Sequence, residues 1–281
     1  MTDLRRFTRL RSLLFAPATN AAVVAKLATR GADAVVVDCE DATPADLKVA
    51  ARAGAHAAVP ELTAAGAVVA VRVNAPASEW FTDDVAALHG DVAAVVVPKI
   101  ERVAELDTLA ALLDAAGLAE VGVIAGIETA LGVADARPLL GHPRVVAGYF
   151  GAEDFIADMG GRRTPGNAEV AYARGLVALA GRLGGVPVVD QIVADFGDDA
   201  RFLRESAEAY AMGYAGKLCI HPKQVALAND AFRPSAADVE RARRLLDAYT
   251  AAQADGRGAI AFEGQMIDEP LAAQARRILA L

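Results

Sequence analysis

Cysteine is scarce in this sequence, and its scarcity excludes two kinds of site. The 281 residues include only two cysteines, Cys39 and Cys219, which stand in separate apolar runs far apart along the chain. Their spacing provides neither a disulfide framework nor a zinc-binding motif. We therefore expect two reduced thiols near the ends of buried strands.

Long apolar runs are missing as well. No segment approaches the roughly 18 consecutive apolar residues that suggest a membrane span. The N-terminal arginines are Arg5, Arg6, Arg9 and Arg11. The apolar run that follows them, residues 13–16, is too short for the core of a secretory signal peptide. These features predict a cytoplasmic protein.

Positive charge is in deficit. The formal net charge is −8 and the isoelectric point is about 5.1. This balance argues against general binding to nucleic acid or to anionic membranes. It leaves room for a local basic pocket that binds a small anionic substrate.

Apolar residues, in contrast, are abundant. They make up 54% of the chain, which predicts a large core and little disorder. A length of 281 residues suits one (β/α)₈ barrel of roughly 250 residues, and it also suits two ordinary domains.

A repeating pattern distinguishes these two options. Short continuous runs rich in Val and Ile alternate with polar loops and Ala-rich stretches of helical spacing, such as residues 20–30 and 168–183. The eight runs are residues 12–15, 34–38, 68–73, 94–98, 121–127, 145–150, 186–190 and 216–220. Such runs are typical of strands buried on both faces, and their alternation with helices predicts a parallel sheet. Eight rounds favour a closed barrel.

The predicted fold is therefore α/β, a TIM barrel over residues 1–235 with a C-terminal helical extension over residues 236–281. The extension contains a charged helix over residues 236–253 and a polar break over 254–258. An extended piece over 259–266 and a helix over 269–281, with Pro270 in its first turn, complete it. We expect the extension to pack on the barrel, on a neighbouring subunit, or on both.

Polar residues follow most of the predicted strands. They are Asp38, Glu40, Asp41, Arg72, Asn74, Lys99, Glu128, Thr129, Glu153, Asp154, Asp190 and His221. Because the active site of a TIM barrel lies at the carboxyl ends of its strands, these side chains should converge on one rim. Carboxylates gathered there repel one another unless a cation or a proton lies among them.

The cation that suits this rim is a hard one. No His-x-x-x-His or Cys cluster accompanies the carboxylates, and oxygen ligands favour Mg²⁺ or Mn²⁺. Glu128 and Asp154, at the ends of neighbouring strands, are the predicted ligands. The alternative is that these acids are solvated loop carboxylates.

Two basic residues on the rim are candidates for binding the substrate. Arg72 closes the apolar strand Val-Ala-Val-Arg-Val, a costly place for a guanidinium unless it meets an anion. It would clamp a substrate carboxylate or carbonyl oxygen, or else form a structural salt bridge to Glu40 or Asp41. Lys99 has the same two interpretations.

Two further motifs favour a structural role. His221, before Pro222, has the position of a general base but is more typical of a structural strand end. The glycine-rich residues 160–166 match no phosphate-binding or dinucleotide motif, so a plain loop is favoured.

The ordered set of motifs resembles the citrate lyase β-subunit and malyl-CoA lyase-like family of CoA-ester lyases. The matching pieces are Arg-Ser-Leu-Leu-Phe-Ala-Pro from Arg11, Asp-Cys-Glu-Asp-Ala from Asp38, Val-Arg-Val-Asn from Val71, Val-Pro-Lys from Val97, Gly-Ile-Glu-Thr from Gly126, Gly-Ala-Glu-Asp-Phe from Gly151, Gly-Lys from Gly216, Ile-His-Pro-Lys-Gln from Ile220 and Gly-Gln-Met-Ile-Asp from Gly264. They cover nearly the whole chain. Cys39 departs from the pattern, which more often has an aliphatic residue there.

The resemblance implies a TIM barrel that holds Mg²⁺ through Glu128 and Asp154 and binds substrate through Arg72. It implies that Glu40 and Asp41 lie close to the metal and belong to the catalytic set. A CoA-type thioester should lie across the barrel mouth, and members of the family commonly form trimers or hexamers.

The resemblance also singles out Asp268 in the extension. In malyl-CoA lyase-like enzymes the aspartate at this place is the general acid/base, delivered by the tail of a neighbouring subunit. The alternative is an ordinary acidic residue at the start of a helix, where the helix dipole favours negative charge.

The predicted function is a Mg²⁺-dependent carbon–carbon lyase that cleaves or forms a β-hydroxyacyl thioester and a 2-keto acid through a metal-bound enolate. Two alternatives stay open: a citrate lyase subunit that acts on an acyl-carrier protein, and a metal-dependent 2-keto acid aldolase without CoA. The identity of the acyl group, the oligomeric state and the direction of the reaction are not determined by the sequence.

Overall fold

The computed structural model describes Phe7 and residues 9–280. Two compact units make up the chain, one that ends at Phe232 and one that begins at Arg233. Arg5, Arg6 and Leu281, which figure in the predictions above, lie outside the described residues. Within the described part, no helix is long and apolar enough to cross a membrane.

Eight parallel strands close the first unit into a barrel, because β1 pairs with both β2 and β8. The strands are β1 (Ser12–Pro17), β2 (Ala34–Asp38), β3 (Val69–Arg72), β4 (Ala94–Val97), β5 (Gly122–Ile127), β6 (Val145–Phe150), β7 (Val188–Asp190) and β8 (Gly216–Cys219). Each predicted run overlaps one of them, with ends that agree within two residues. The predicted TIM barrel is confirmed.

Helices cover the outside of the sheet. They are α1 (Ala21–Val24), α2 (Lys48–Ala64), α3 (Phe81–Ala86), α4 (Val103–Ala115), α5 (Ala130–Ala134), α6 (Ala136–Leu140), α7 (Ala152–Asp158), α8 (Ala171–Gly184), α9 (Asp199–Met212) and α10 (Pro222–Ala231). Short 3₁₀ turns lie at Leu27–Thr29 and Ala45–Leu47.

The core has two layers, which follow from the two-residue period of the strands. Along β2, Ala34 and Val36 belong to the cluster inside the barrel, whereas Val35 and Val37 pack beneath the helices. Every residue of β2 is buried, as expected for a strand covered on both faces.

The stretch of helical spacing over residues 20–30 forms two short helical pieces, not one helix. The α-helical part ends after Val24, and a 3₁₀ turn follows at Leu27–Thr29. Val24 and Leu27 are the buried residues of the segment, and 3₁₀ bonding brings side chains three positions apart onto one side. Packing on the core, which the sequence pattern does not show, selects the tighter turn.

The second unit consists of two helices and a hairpin. They are α11 (Ala236–Ala254), β9 (Ile260–Phe262), β10 (Gln265–Ile267) and α12 (Glu269–Ala280). The single extended piece predicted over residues 259–266 is therefore two antiparallel strands. Glu263 and Gly264 both have positive φ angles, 49° and 77°, which suit a two-residue hairpin turn.

Small and apolar side chains hold this unit together. Leu245 and Tyr249 of α11 pack with Ile267 of β10 and with Ala272 and Ala275 of α12. The unit therefore has a small core of its own.

Candidate active site

A cavity of about 390 Å³ opens at the carboxyl ends of the barrel strands. Its polar lining residues are Asp38, Asp41, Arg72, Glu128, Tyr149, Glu153 and Asp154. The predicted convergence of polar strand ends on one rim therefore holds for the strands β2, β3, β5 and β6.

Arg72 is the centre of the cationic part of the cavity. It ends β3 opposite Asp38, the last residue of β2, because the two are partners in the register. Its Nε and Nη2 each donate a hydrogen bond of 2.7 Å to one Asp38 oxygen, and Nη1 lies 3.0 Å from Oε2 of Glu40. The ring of Phe15 covers the guanidinium at 5.1 Å.

These contacts keep Arg72 charged. Burial opposes the charge, but the hydrogen bonds and the negative charge of Asp38 outweigh it and raise the pKa of Arg72. The alternative to substrate binding in the sequence analysis was a structural salt bridge from Arg72 to Glu40 or Asp41. The structure provides the Glu40 contact and adds Asp38 as the bidentate partner.

Lys99 contacts three carboxylates, two that follow β2 and one that follows β6. Its Nζ lies 2.5 Å from Glu40 Oε1, 3.2 Å from Asp41 Oδ2 and 3.4 Å from Asp154 Oδ1. Burial works against the ammonium, but the bond to Glu40 and the surrounding carboxylates outweigh it and raise the pKa of Lys99.

The backbone of Lys99 is also unusual. Its φ is 53°, a left-handed conformation that non-glycine residues adopt infrequently and that often marks functional sites. In this conformation the Lys99 amide donates a 2.9 Å hydrogen bond to Oε1 of Glu128. The turn after β4 therefore orients both a cation and a carboxylate.

Glu128 is a buried carboxylate with one oxygen held and one open. Oε1 accepts hydrogen bonds of 2.9 Å from the Lys99 amide and from the Tyr149 hydroxyl. Oε2 accepts none from any described residue. A Cβ on Gly151 would collide with this oxygen, so the glycine leaves room for it.

The charge state of Glu128 reflects its surroundings. Burial is the main cause that raises its pKa to about 7, and the negative charge of Asp154 raises it further. Asp154, whose side chain is 35% exposed, lines the same cavity.

These features fit a divalent cation of the hard class. Two carboxylates, Glu128 and Asp154, line one cavity and repel each other, and Oε2 of the buried Glu128 accepts no hydrogen bond from the described residues. A cation between them would relieve both costs. Among the described residues no group of three or more His, Cys, Asp and Glu side chains is arranged around a metal position. Mg²⁺ commonly uses only one or two protein carboxylates and keeps several waters.

Glu40 and Asp41 lie beside this pair. Burial raises the pKa of Glu40, although Arg72 and Lys99 work in the opposite direction. Burial also favours a higher pKa for Asp41, but the charge and hydrogen bond of Lys99 outweigh burial and lower the pKa of Asp41. Glu40 is thus enclosed between two cations, whereas the Asp41 side chain is 60% exposed at the mouth.

Three supporting residues were given no role in the sequence analysis. Asp38 pairs with Arg72, and Tyr149 bonds to Glu128 from within β6. Lys48 donates to the backbone oxygens of Cys39 and Glu40 at 3.0 and 2.9 Å. Asp38 was detectable as a polar residue at a strand end, whereas nothing in the sequence marked Tyr149 or Lys48.

Other polar residues from the predicted rim lie elsewhere. Asp190 is fully buried and pairs with Arg174 and Lys217, so it does not line the cavity. His221 caps α10 by accepting a hydrogen bond from the Lys223 amide, and its ring stacks on Phe196 at 4.8 Å. This position supports the structural interpretation of the histidine.

The remaining candidates from the sequence are Cys39, the loop over residues 160–166 and Asp268. Cys39 is buried, which raises its pKa to about 12, as expected for a packing residue. In the loop over residues 160–166, Arg163 binds Glu153 and Glu169 at 3.0 and 2.5 Å. Asp268 belongs to the second unit, where its backbone oxygen accepts the first hydrogen bond of α12, from Ala272.

Comparison with known proteins gives concordant results. The profile of the HpcH/HpaI aldolase/citrate lyase family matches residues 11–222. A citrate lyase subunit beta-like protein of Deinococcus radiodurans is 50% identical over 275 residues, 96% of each chain. A (3S)-malyl-CoA thioesterase of Cereibacter sphaeroides is 32% identical, over 96% of this chain and 93% of the relative.

A solved structure is similar over the same range. The CitE protein of Mycobacterium tuberculosis, in complex with magnesium, acetoacetate and coenzyme A, has a TM-score of 0.81 and 32% identity, and covers 96% of both chains. The similarity therefore extends over both units of the chain.

Proposed function

The chain belongs to the HpcH/HpaI aldolase/citrate lyase family and is a Mg²⁺-dependent lyase, and from this premise we propose that it cleaves or forms a β-hydroxyacyl-CoA thioester. Cleavage of this thioester would release a 2-keto acid, and its formation would consume one. The observation that carries the proposal is the placement of Glu128, Asp154 and Arg72 on one cavity. The CitE relative contains magnesium, acetoacetate and coenzyme A together.

Glu128 and Asp154 would hold the metal. When bound, Mg²⁺ supplies Lewis-acid polarisation of the carbonyl group of the keto acid. The amide of Lys99 and the hydroxyl of Tyr149 fix one oxygen of Glu128, and so they orient the other toward the cavity.

Arg72 would bind the substrate. A guanidinium has five N–H donors. In Arg72, Nε and Nη2 each use one N–H to bind Asp38, and Nη1 contacts Glu40. The remaining donors can meet a carboxylate or the oxygen that gains negative charge as the carbon–carbon bond breaks. Asp38 holds the fork in place through two bonds, so little reorganisation is needed on binding.

Glu40, Asp41 and Lys99 would tune this arrangement. Glu40 lies between Arg72 and Lys99 and keeps both cations at the mouth. Lys99 restrains Asp41 and Asp154, and its ammonium is close enough to the cavity to bind an anionic substrate. Asp41 lines the cavity and can contact the substrate directly.

Asp268 completes the proposal as the general acid/base, acting from a neighbouring subunit of a homo-oligomer in the cytoplasm. It stands between β10 and α12 in a unit with its own core, a suitable carrier for a residue delivered as a lid. The resemblance to malyl-CoA lyase-like enzymes supports this role.

Complementation tests the role in trans. Asp268→Ala should lower kcat by roughly 10²–10⁴-fold, the worth of acid–base catalysis, and leave Mg²⁺ binding unchanged. Mixed oligomers of Asp268→Ala and Glu128→Ala subunits should recover part of the activity. Asp247→Ala, an exposed acid of the same unit, is the control. An active monomer, or no recovery despite verified subunit exchange, would contradict the proposal.

A cleavage screen tests the reaction itself. A panel of malyl-, citramalyl-, citryl- and hydroxymethylglutaryl-CoA should include at least one ester that releases its keto acid only in the presence of Mg²⁺. Turnover that persists in strong chelator would contradict the metal, and no turnover of any ester would contradict the thioester substrate.

Two other functions make different predictions in the same assays. A citrate lyase subunit, suggested by the Deinococcus radiodurans relative, would act on an acyl group only when an acyl-carrier protein presents it. A CoA-independent aldolase, within the range of the family's description, would cleave small hydroxy-keto acids and bind no CoA ester.

A further inference from the structure

The cavity has two chemically different sides. Carboxylates and Arg72 occupy one side, at the ends of β2, β3, β5 and β6. Apart from Pro17, the lining residues from β1, from β8 and from just after β7 and β8 are Phe15, Ile192, Leu218 and Ile220, all of them apolar. We call these four residues the apolar wall.

The cations near the cavity are already engaged by carboxylates. Arg72 contacts both oxygens of Asp38 and one of Glu40, and Lys99 contacts Glu40, Asp41 and Asp154. Among the described residues that line the cavity there is one guanidinium and there are five carboxylates. A divalent cation would reduce this negative charge without reversing it.

The excess of negative charge in the cavity limits which keto acids can bind. Its 2-keto carboxylate has the metal and the open donors of Arg72 as partners. A second carboxylate at the far end would meet either more carboxylates or the apolar wall, and an unpaired carboxylate against apolar surface is costly. A hydrogen or a short alkyl chain would instead gain from contact with the wall.

We infer that the keto acid handled by this site is a 2-keto monocarboxylate whose hydrogen or short alkyl group lies against the apolar wall. This inference rests on the proposed function, and it selects among substrates that the metal and Arg72 treat alike. Ile220 is the member of the wall best suited to a test, because it is 39% exposed and a new side chain there displaces little of the core.

A matched pair of keto acids isolates the far group. Oxaloacetate and 2-oxobutyrate differ by a carboxylate in place of a methyl group. In the Mg²⁺-dependent condensation with acetyl-CoA, a carbon–carbon bond forms between the acetyl carbon and the keto carbon, and the proton lost by the former ends on the new hydroxyl. We expect kcat/KM for 2-oxobutyrate, pyruvate or glyoxylate to exceed that for oxaloacetate by about 10–200-fold.

The assay must identify the product, because oxaloacetate loses CO₂ to give pyruvate. Mass spectrometry distinguishes the two CoA products. Isothermal titration of the Mg²⁺-loaded protein with 2-oxobutyrate and with freshly dissolved oxaloacetate measures the same preference without turnover, and we expect the monocarboxylate to bind more tightly.

A charge placed on the wall should reverse the preference. Ile220→Arg should raise the oxaloacetate to 2-oxobutyrate ratio of kcat/KM at least about tenfold, by supplying the missing partner. Leu203→Arg, on α9 and 43% exposed, places the same charge away from the cavity lining and should leave the ratio unchanged.

The outcomes separate the inference from the proposed function. Oxaloacetate turned over as well as 2-oxobutyrate, or a ratio that Ile220→Arg does not move, overturns the inference while the lyase activity stands. If no condensation or cleavage occurs, the proposed function is wrong, and the order of the two titrations still decides the inference.

Discussion

Two clusters of charged side chains lie on the same barrel and differ in how far their charges are balanced. The mouth cluster consists of Asp38, Glu40, Asp41, Arg72, Lys99, Glu128 and Asp154. The enclosed cluster consists of Arg174, Asp190, Gln191, Arg201, Glu205 and Lys217, between β7, β8, α8 and α9.

In the enclosed cluster every charge has a partner. Asp190 accepts two hydrogen bonds of 3.0 Å from Arg174 and one of 2.9 Å from Lys217. Glu205 accepts bonds from Arg201 at 2.7 Å and Gln191 at 3.0 Å. Burial opposes ionisation of Glu205, but Lys217 and Arg201 outweigh it and lower its pKa to about 2.

In the mouth cluster the acids outnumber the bases, and the pKa of the buried Glu128 rises to about 7 instead. Clusters built from the same residue types therefore have two different roles. A balanced cluster stabilises one arrangement of the chain, whereas an unbalanced one is completed by a ligand. Substitutions in the two clusters should separate binding from stability.

The largest effect should come from the mouth cluster. Glu128→Gln removes a proposed metal ligand, so Mg²⁺-dependent activity should fall by at least about 10³-fold, equivalent to several kcal/mol of lost stabilisation. The melting temperature should stay near that of the parent, because repulsion from Asp154 disappears. Glu79→Gln, an exposed carboxylate outside the cavity, is the control. Parent-like activity of the variant would remove Glu128 from the metal site.

The next largest effect should be on stability. Lys217→Met leaves Asp190 and Glu205 buried without one partner each, which should lower the free energy of unfolding by about 3 kcal/mol. Urea denaturation measures this loss, and Mg²⁺ binding to the folded variant should be unchanged. Lys223→Met breaks only a surface pair with Asp199 and should cost less than about 1 kcal/mol. Equal losses in the two variants would show that the enclosed cluster does not stabilise the fold.

A smaller effect is expected from Arg72→Lys. Lysine keeps the charge but cannot bind Asp38 through a planar fork while also meeting a substrate. We expect kcat/KM to fall roughly tenfold to hundredfold. Complete removal of a donor to an oxyanion lowers the rate by up to about 10³-fold, and lysine keeps part of that interaction. Arg182→Lys, exposed on α8, should behave as the parent. Unchanged kinetics for Arg72→Lys on the true substrate would make the arginine purely structural.

The smallest effects should appear with pH, and they differ between the clusters. The raised pKa of Glu128, about 7 against an ordinary 4.5, means that its ionised form is disfavoured in the folded state. Its contribution to stability is therefore greatest below pH 4.5 and declines as the pH rises through 7. Mg²⁺ needs the ionised form, so its affinity should rise by up to about tenfold per pH unit below 7 and then level off.

Glu205 should show the opposite dependence. Its lowered pKa supplies stability above its ordinary value of 4.5, and this stability is lost as the pH falls from 4.5 to about 2. Calorimetric Mg²⁺ titrations at pH 6, 7 and 8, and unfolding free energies between pH 2 and 5 for the parent and Glu205→Gln, measure the two responses. A Mg²⁺ affinity independent of pH would contradict the prediction for Glu128. Identical unfolding free energies of parent and Glu205→Gln between pH 2 and 5 would contradict the prediction for Glu205.

The sequence by itself determined the architecture and the composition of the mouth. Eight Val- and Ile-rich runs separated by helical stretches predict a parallel sheet, because strands of that kind must be covered on both faces, and their number favours a closed barrel. Parallel strands in a closed barrel end on the same rim, so Arg72, Glu128 and Asp154 could be placed near one another before any distance was known. The proposed roles of these residues, and of Asp268, remain predictions.

Only the tertiary structure decided which charged residues are balanced. Asp38 and Asp190 both end predicted strands, yet one faces the cavity with Arg72 and the other is enclosed by Arg174 and Lys217. Strand register, the left-handed backbone of Lys99 and the hydroxyl of Tyr149 set these partners. Such contacts join residues from different strands and loops, and their distances depend on how the whole barrel closes, which no local pattern in the sequence contains.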